Sequence, residues 1–325
     1  MYLSEKFLSI SPSPTLSIDA KFKQMKKDGL DVVGFGAGEP DFDTPKHIKD
    51  AAIKAILEGK TKYTPASGMP ELKKAVCKKF MRDNSLYYEP NQIVVSNGAK
   101  HSLVNVFGAI LNEGDEVIIP APYWVSYPEM VKINSGVPVT VYASEDNDFK
   151  VTPEQIEEKI TEKTRAIVIN SPSNPTGMVY TKAELEKIAE IALKHNLYIV
   201  SDEIYEHLIY EGKHFSVAQI SEEVKDITII VNGVSKTYAM TGWRIGYTAS
   251  NPTIAKIMSN VQSHATSNPN TIAQIAAIEA LNGPADELEA MVAEFAKRRT
   301  YMADRINKIE GVSCIKPHGS FYIMM

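Results

Sequence analysis

Cysteine is scarce: Cys77 and Cys314 are the only two, far apart and without metal-ligand spacing. A fold built on disulfides or on a cysteine-held metal is excluded. A reducing compartment fits, so a cytoplasmic location is expected. Long apolar runs are missing too. No stretch approaches the roughly 18 uncharged apolar residues of a membrane helix. Residues 1–10 hold Glu5 and Lys6 and lack the apolar segment of a signal peptide. Positive charge is not in excess, the net charge being −5, so no nucleic-acid partner is expected. The densest basic segment, 72–79, reads as a helix whose Lys73, Lys74, Lys78 and Lys79 form its wet face. Internal repeats and low-complexity tracts are absent, which excludes a solenoid or a disordered linker as the main architecture.

What is present is globular. The chain has 325 residues, 44% hydrophobic and 23% charged. At roughly 100–200 residues per domain, this allows one large domain and a smaller one. A helix is expected over 18–27, stopped by Gly29. Residues 32–40 crowd Gly34, Gly36 and Gly38 ahead of Pro40, the pattern of a tight turn or of backbone in close approach to a ligand. Thr44-Pro45 reads as a hydroxyl cap with proline in the first turn of a helix to about Glu58. Residues 63–68 read as a loop and 71–82 as an amphipathic helix.

From Gln92 the pattern becomes strand, turn, helix, repeated. Strands are expected over 93–95, 116–120, 137–142, 165–170, 197–200, 226–231 and 245–250, with an aromatic loop at 122–128. Capping boxes, Thr152 to Gln155 and Thr181 to Glu184, open helices between them. Residues 252–283 read as a helix broken near Asn268-Pro269, 285–309 as a long charged helix, and 311–325 as the start of another strand. This alternation predicts an α/β fold, a mostly parallel central sheet flanked by helices. Ligands in such sheets sit at the carboxyl ends of the strands.

Unusual loops fall at those ends: Gly98-Ala99-Lys100, Tyr123-Trp124, Asn174, Asp202 to Tyr205, and Ser235-Lys236. A lone Ser-Lys is most often a surface loop. Here Lys236 follows a core strand, with Ser235 before it and Arg244 close behind. That puts a reactive amine beside an anion site, which a lysine under a phosphorylated aldehyde cofactor needs. Asp202 either caps a helix or pairs with a protonated pyridine nitrogen, since an unpaired buried carboxylate is costly. Trp124 is either core or a flat face for a planar ring. Tyr205 and Asn174 can bond a ring oxygen. Arg244 either makes an ion pair on a β-edge or, with Ser235 and the 98–100 turn, holds a phosphate. The shared position of these loops favours the ligand reading of each.

Three stretches carry a resemblance: Ser-Lys-Thr-Tyr-Ala-Met-Thr-Gly-Trp-Arg-Ile-Gly-Tyr from Ser235, Asn-Ser-Pro-Ser-Asn-Pro-Thr-Gly from Asn170, and Ser-Asp-Glu-Ile-Tyr from Ser201. They resemble the class I/II aminotransferases of fold type I. Gly-Ala-Gly-Glu-Pro-Asp-Phe-Asp-Thr-Pro from Gly36 and Tyr-Thr-Pro-Ala-Ser-Gly from Tyr63 resemble the bacterial-type aspartate aminotransferase subgroup. The similarity runs from about Pro14 to the last residue.

The resemblance implies pyridoxal 5'-phosphate as cofactor. Lys236 would carry it on its amine and later shuttle the proton. Asp202 would pair with the ring nitrogen, Tyr205 and Asn174 with the ring's phenolic oxygen, and Trp124 would stack on the ring. Gly98, Ala99, Lys100, Ser235 and Arg244 would surround the phosphate, with Tyr63 reaching the neighbouring subunit's phosphate in a homodimer of shared sites. Gly38, Trp124 and Asn174 would approach the substrate, and Lys100 and Thr15 would favour a side-chain carboxylate.

The resemblance further implies a large cofactor domain over 46–284 and a small domain from 1–45 and 285–325. The implied reaction moves an amino group from an L-amino acid, foremost aspartate, to 2-oxoglutarate. A β-carbon–sulfur lyase and a non-catalytic cofactor-binding regulatory domain are the alternatives. The family's α-carboxylate arginine lies well past Gly319-Ser320-Phe321-Tyr322, and this sequence stops at Met325. By the resemblance, that arginine and part of the small domain are expected to be missing from a C-terminally truncated chain.

Overall fold

The β-branched runs pair into one sheet. A computed structural model describes residues 2–36 and 38–325, so Ala37 of the glycine-rich stretch lies outside the described residues. The strands are β1 (Ile93–Ser96), β2 (Glu116–Ala121), β3 (Val137–Tyr142), β4 (Thr164–Asn170), β5 (Tyr198–Asp202), β6 (Thr228–Gly233) and β7 (Gly246–Ala249). Among the described residues they form one seven-stranded sheet in the order β1-β7-β6-β5-β4-β2-β3. From β6 to β3 every pairing is parallel. β7 runs antiparallel to both β1 and β6. The mostly parallel sheet expected from the sequence is therefore the one that forms.

Successive side chains of a strand point to opposite faces. In β6, Ile229 and Val231 join one core and Ile230 another. The first core packs the sheet against helices Ala99–Ile110, Ser126–Ile133 and Pro252–Ala265, through Leu103, Phe107, Met130, Val131 and Met258. On the other face lie helices Pro70–Asn84 and Thr271–Asn282 near β1 and β7, and Lys182–Lys194 near β4 and β5. Burying one such Ile, Leu or Val contributes roughly 1.5–3 kcal/mol, so continuous apolar strands suit a sheet covered on both faces. Both capping boxes form: Thr152 Oγ1 accepts from Gln155 N at 3.3 Å, and Thr181 Oγ1 from Glu184 N at 3.3 Å. No described helix is long and apolar enough to cross a membrane.

Several local expectations are corrected. Thr44 does not cap a helix; helix Lys46–Leu57 starts after Pro45 with no side-chain cap. The Thr44 hydroxyl instead donates to the Ala239 carbonyl at 2.7 Å and accepts from Trp243 Nε1 at 3.0 Å. Lys79 is not on a wet face. It is 1% exposed and ion-paired with Glu206. Asp226 and Ile227 close a short helix, Glu222–Ile227, because Ser221 caps it by accepting from Val224 N at 3.2 Å. The aromatic stretch 122–128 ends inside helix Ser126–Ile133, which carries Tyr127.

The helix expected at 18–27 starts earlier, at Pro14, and so includes Thr15. Residues 311–325 form no strand. Ser320 has φ 56°, which interrupts the extended chain, and only Gly319 makes a bridge, to Ile209.

Candidate active site

Asp202 is the last residue of β5 and 3% exposed. Its Oδ2 accepts a 2.6 Å hydrogen bond from the Tyr127 hydroxyl, and its Oδ1 one of 3.3 Å from Ile204 N. Asp202 caps no helix: its Oδ1 closes a local turn at the end of β5 instead. Burial pushes its carboxyl up to about 6, against the pull of Tyr127 and the Ile204 N–H. Asn170, at the end of β4, donates from Nδ2 to the Asp202 carbonyl at 3.0 Å and accepts from Asn174 N at 2.7 Å. These bonds stitch the Asn174 loop to the Asp202 turn.

Lys236 lies three residues past Gly233, where β6 ends. Its Nζ donates to the Gly38 carbonyl. The ammonium sits 5.8 Å from the Tyr205 ring centre and 5.6 Å from that of Phe321. Burial draws its pKa down to about 8; Glu39 and Asp202 oppose the shift and Arg244 adds to it. A buried amine of lowered pKa is an activated nucleophile. The Tyr205 hydroxyl is 2.9 Å from that of Tyr322, and burial raises its pKa well above the usual phenol value.

The other end of the site is built for an anion. Gly98, with φ 85°, opens helix Ala99–Ile110 and leaves the first N–H groups of that helix free. A side chain at Gly98 would put its Cβ 2.3 Å from Arg244 Nη2. Gly246 of β7 touches the same helix start, since a Cβ there would lie 2.2 Å from Ala99 N. Arg244 takes the left-handed conformation, φ 57°, and donates from Nη1 to the Thr241 carbonyl at 2.8 Å. The Lys100 ammonium lies 5.0 Å from the Trp124 ring, its pKa lowered by burial and by Arg244. Trp124 stands edge-on to Tyr127, with ring centres 5.4 Å apart.

A cleft of about 560 Å³ gathers nearly all the residues singled out from the sequence. Thr15, Gly38, Ala99, Lys100, Trp124, Asn174, Asp202, Tyr205, Ser235, Lys236 and Arg244 line it. Gly98 backs it through Arg244. Tyr63 is not brought there; it stands 89% exposed. Sequence reasoning missed Tyr127, Asn170 and Tyr322 as site residues. Their signals were present, since Tyr127 lies in the aromatic stretch after β2, Asn170 ends a strand, and Tyr322 closes the quoted Gly-Ser-Phe-Tyr.

Comparison with known proteins identifies the family. The family described as aminotransferase class I and II matches residues 30–325. The aspartate aminotransferase of Bacillus sp. strain YM-2 is 57% identical over 99% of this chain and 82% of its own length. The crystal structure of the aspartate aminotransferase from Rhizobium meliloti superposes with a TM-score of 0.96 at 45% identity, covering 99% of this chain and 81% of that one. The Thermus thermophilus aspartate aminotransferase with maleate gives a TM-score of 0.96 at 44% identity, over 99% of this chain and 84% of that one. On sequence and structure alike, this chain belongs to the class I and II aminotransferases.

Proposed function

We propose that the protein uses pyridoxal 5'-phosphate to transfer the amino group of L-aspartate to 2-oxoglutarate, as a cytoplasmic homodimer. One observation carries the reading: a buried amine, Lys236, shares a cleft with a buried carboxylate, Asp202, and with the cationic end formed by Arg244 and Lys100. Aspartate as donor is supported by relatives named for it and by the maleate named with the Thermus relative, a four-carbon dicarboxylate like aspartate.

The residues fit the cofactor. Among the described residues, Asp202 has only Tyr127 and one backbone N–H on its side-chain oxygens, so a cationic ring nitrogen would complete its pairing. The helix start at Ala99, with Ser235, Lys100, Arg244 and the Gly98 turn, suits a phosphate dianion. Trp124 offers a ring-sized apolar face, and Tyr205 and Asn174 offer partners for a ring oxygen. When bound, pyridoxal phosphate supplies an electron sink for the pair released as the substrate Cα–H bond breaks.

The chain's own groups do the rest. Lys236 Nζ takes the proton from the substrate Cα and gives it back as the amino group changes hands. Its depressed pKa keeps part of the amine neutral near pH 8. Asp202 holds a fixed negative charge against the ring nitrogen. Lys100 and Thr15 meet the substrate's side-chain carboxylate, and Gly38, Asn174 and Trp124 confine its other end. Tyr63 is exposed and suited to reach the phosphate held by a second copy. A large domain over 46–284 and a small one from 1–45 and 285–325 belong to the same reading; the whole sheet falls inside the first.

The test is product analysis with aspartate and 2-oxoglutarate. Oxaloacetate and glutamate with parallel double-reciprocal lines are expected. Ammonia and pyruvate from β-thio amino acids would instead make the protein a lyase.

A further inference from the structure

A second set of charges is buried behind the strand-end turn. In Asp202-Glu203-Ile204-Tyr205-Glu206, Asp202 and Tyr205 line the cleft. Glu203 and Glu206 do not, yet they are only 1% and 6% exposed. Carboxylates this deep need partners. Glu206 is ion-paired with Lys79 and accepts from Asn232 Nδ2 at 2.7 Å and Asn84 Nδ2 at 3.3 Å. Lys79 also donates to Asn84 Oδ1 at 2.9 Å. Glu203 accepts from Ser201 at 2.9 Å and Ser216 at 2.6 Å and meets His214 Nε2 at 3.1 Å. His207 Nε2 and Asp83 complete the surroundings, 3.7 Å from Glu206 and 3.9 Å from Lys79. The Lys79 ammonium is therefore the cation paired with Glu206, while Glu203 is held by Ser201, Ser216 and His214.

Asn232 makes the arrangement more than a buried ion pair. It lies in β6, four residues before Lys236, and its Oδ1 accepts from Gly233 N at 2.7 Å. One carboxylate, Glu206, thus grips the strand that delivers Lys236, while its own segment delivers Asp202 and Tyr205. Lys79 anchors the junction to a third element, helix Pro70–Asn84. Burial opposes ionisation of Glu206, but Lys79, His207 and His214 hold its pKa down to about 2, so the grip is charged at neutral pH.

We propose that the Lys79–Glu206–Asn232 network is a positioning device that fixes Asp202 and Tyr205 against Lys236. The inference rests on the reading of the cleft as a pyridoxal-phosphate site. Stability alone gives little reason for such a network, because apolar side chains of similar volume often replace a buried ion pair without loss. Geometry gives a better one, since a displacement of about 1 Å at a reacting group can cost about a hundredfold.

Two double variants separate positioning from packing. Lys79→Met with Glu206→Gln removes both charges but keeps an acceptor for Asn232. Lys79→Met with Glu206→Leu removes the acceptor as well. The readouts are the Tm of the cofactor-free protein, the Kd for pyridoxal phosphate by fluorescence titration, and the pH midpoint of the bound cofactor's visible band. The Gln pair, which loses the Lys79 anchor but keeps the acceptor for Asn232, should shift Kd and midpoint less than the Leu pair does. The Leu pair should bind roughly tenfold more weakly or worse, with a displaced midpoint. Asn232→Ala strands no charge and should move both readouts the same way by less, so it decides the matter should either pair fail to fold. Equal Kd and midpoint in wild type, the Leu pair and Asn232→Ala would overturn the inference. A wild-type protein with no affinity for the cofactor would overturn the underlying site reading, and this inference with it.

Discussion

The Tyr127 hydroxyl is hydrogen-bonded to Asp202 Oδ2 at 2.6 Å, and both side chains are buried. Removing that donor should raise the Asp202 pKa further, because the bond favours the charged carboxylate. Asp202 goes from an ordinary 3.8 to about 6 on folding. The folded chain therefore holds a proton in that window that the unfolded chain releases. Its stabilising effect is fully present below pH 4 and is lost as the pH rises through 6. In the cofactor-free protein, Tyr127→Phe should move this loss to higher pH, and Asp202→Asn should remove it. Unfolding midpoints in urea from pH 4 to 7 read the effect. A wild-type profile that rises across this window would contradict it.

In the proposed role the charge of Asp202 acts on the transition state, so Asp202→Ala should cut turnover by orders of magnitude with far less change in folding. Steady-state kinetics and a denaturation curve on the same preparation decide this. Near wild-type turnover would eliminate the role given to Asp202.

Lys236 goes the opposite way, from 10.5 to about 8 on folding. Between those values the unfolded chain holds a proton that the folded chain does not. Stability from this group is therefore present above pH 10.5 and lost as the pH falls through 8. Cofactor-free Lys236→Met should exceed wild type at pH 7 by on the order of 3 kcal/mol, less whatever the bond to the Gly38 carbonyl contributes. The gap should close toward pH 10.5. A constant gap across that range would show that Lys236 is not desolvated.

At Gly98 an added Cβ would meet the Arg244 guanidinium at 2.3 Å, at a φ of 85° that disfavours any side chain. Gly98→Ala should displace Arg244 and weaken pyridoxal-phosphate binding by at least tenfold. Losing a charged partner of an anion typically costs about 2–5 kcal/mol. Equilibrium dialysis with the cofactor checks this, and unchanged affinity would detach the 98–100 turn from the phosphate.

Lys100→Met should lower kcat/KM for aspartate more than for alanine, since only aspartate offers a side-chain carboxylate. Equal losses would leave Lys100 with the phosphate alone. Measuring cofactor affinity in the same variant separates the two roles.

Much of the fold and of the cleft lining was legible in the sequence, because core strands are plainly apolar and the unusual loops at their ends meet in one cleft. Ser235-Lys236, Asp202 and Gly98 announced themselves by position, and the Thr152 and Thr181 capping boxes by spacing. Other features depend on contacts far apart in the chain. Lys79 looked solvated because its helix carries neighbouring lysines, and only folding brings Glu206 under it. Thr44 looked like a cap until the Ala239 carbonyl and Trp243 claimed its hydroxyl. Tyr127 had no visible partner until its helix met the end of β5. The strand expected at 311–325 failed locally, at the left-handed Ser320.

The central claim is that Lys236 carries the cofactor on its amine. Reducing the pyridoxal-phosphate-loaded protein with borohydride and mapping the modified peptide by mass spectrometry tests it most directly. One stable pyridoxyl label is expected, on Lys236, with no such label or visible cofactor band in Lys236→Ala. A label on another lysine, or an undiminished label in Lys236→Ala, would contradict it.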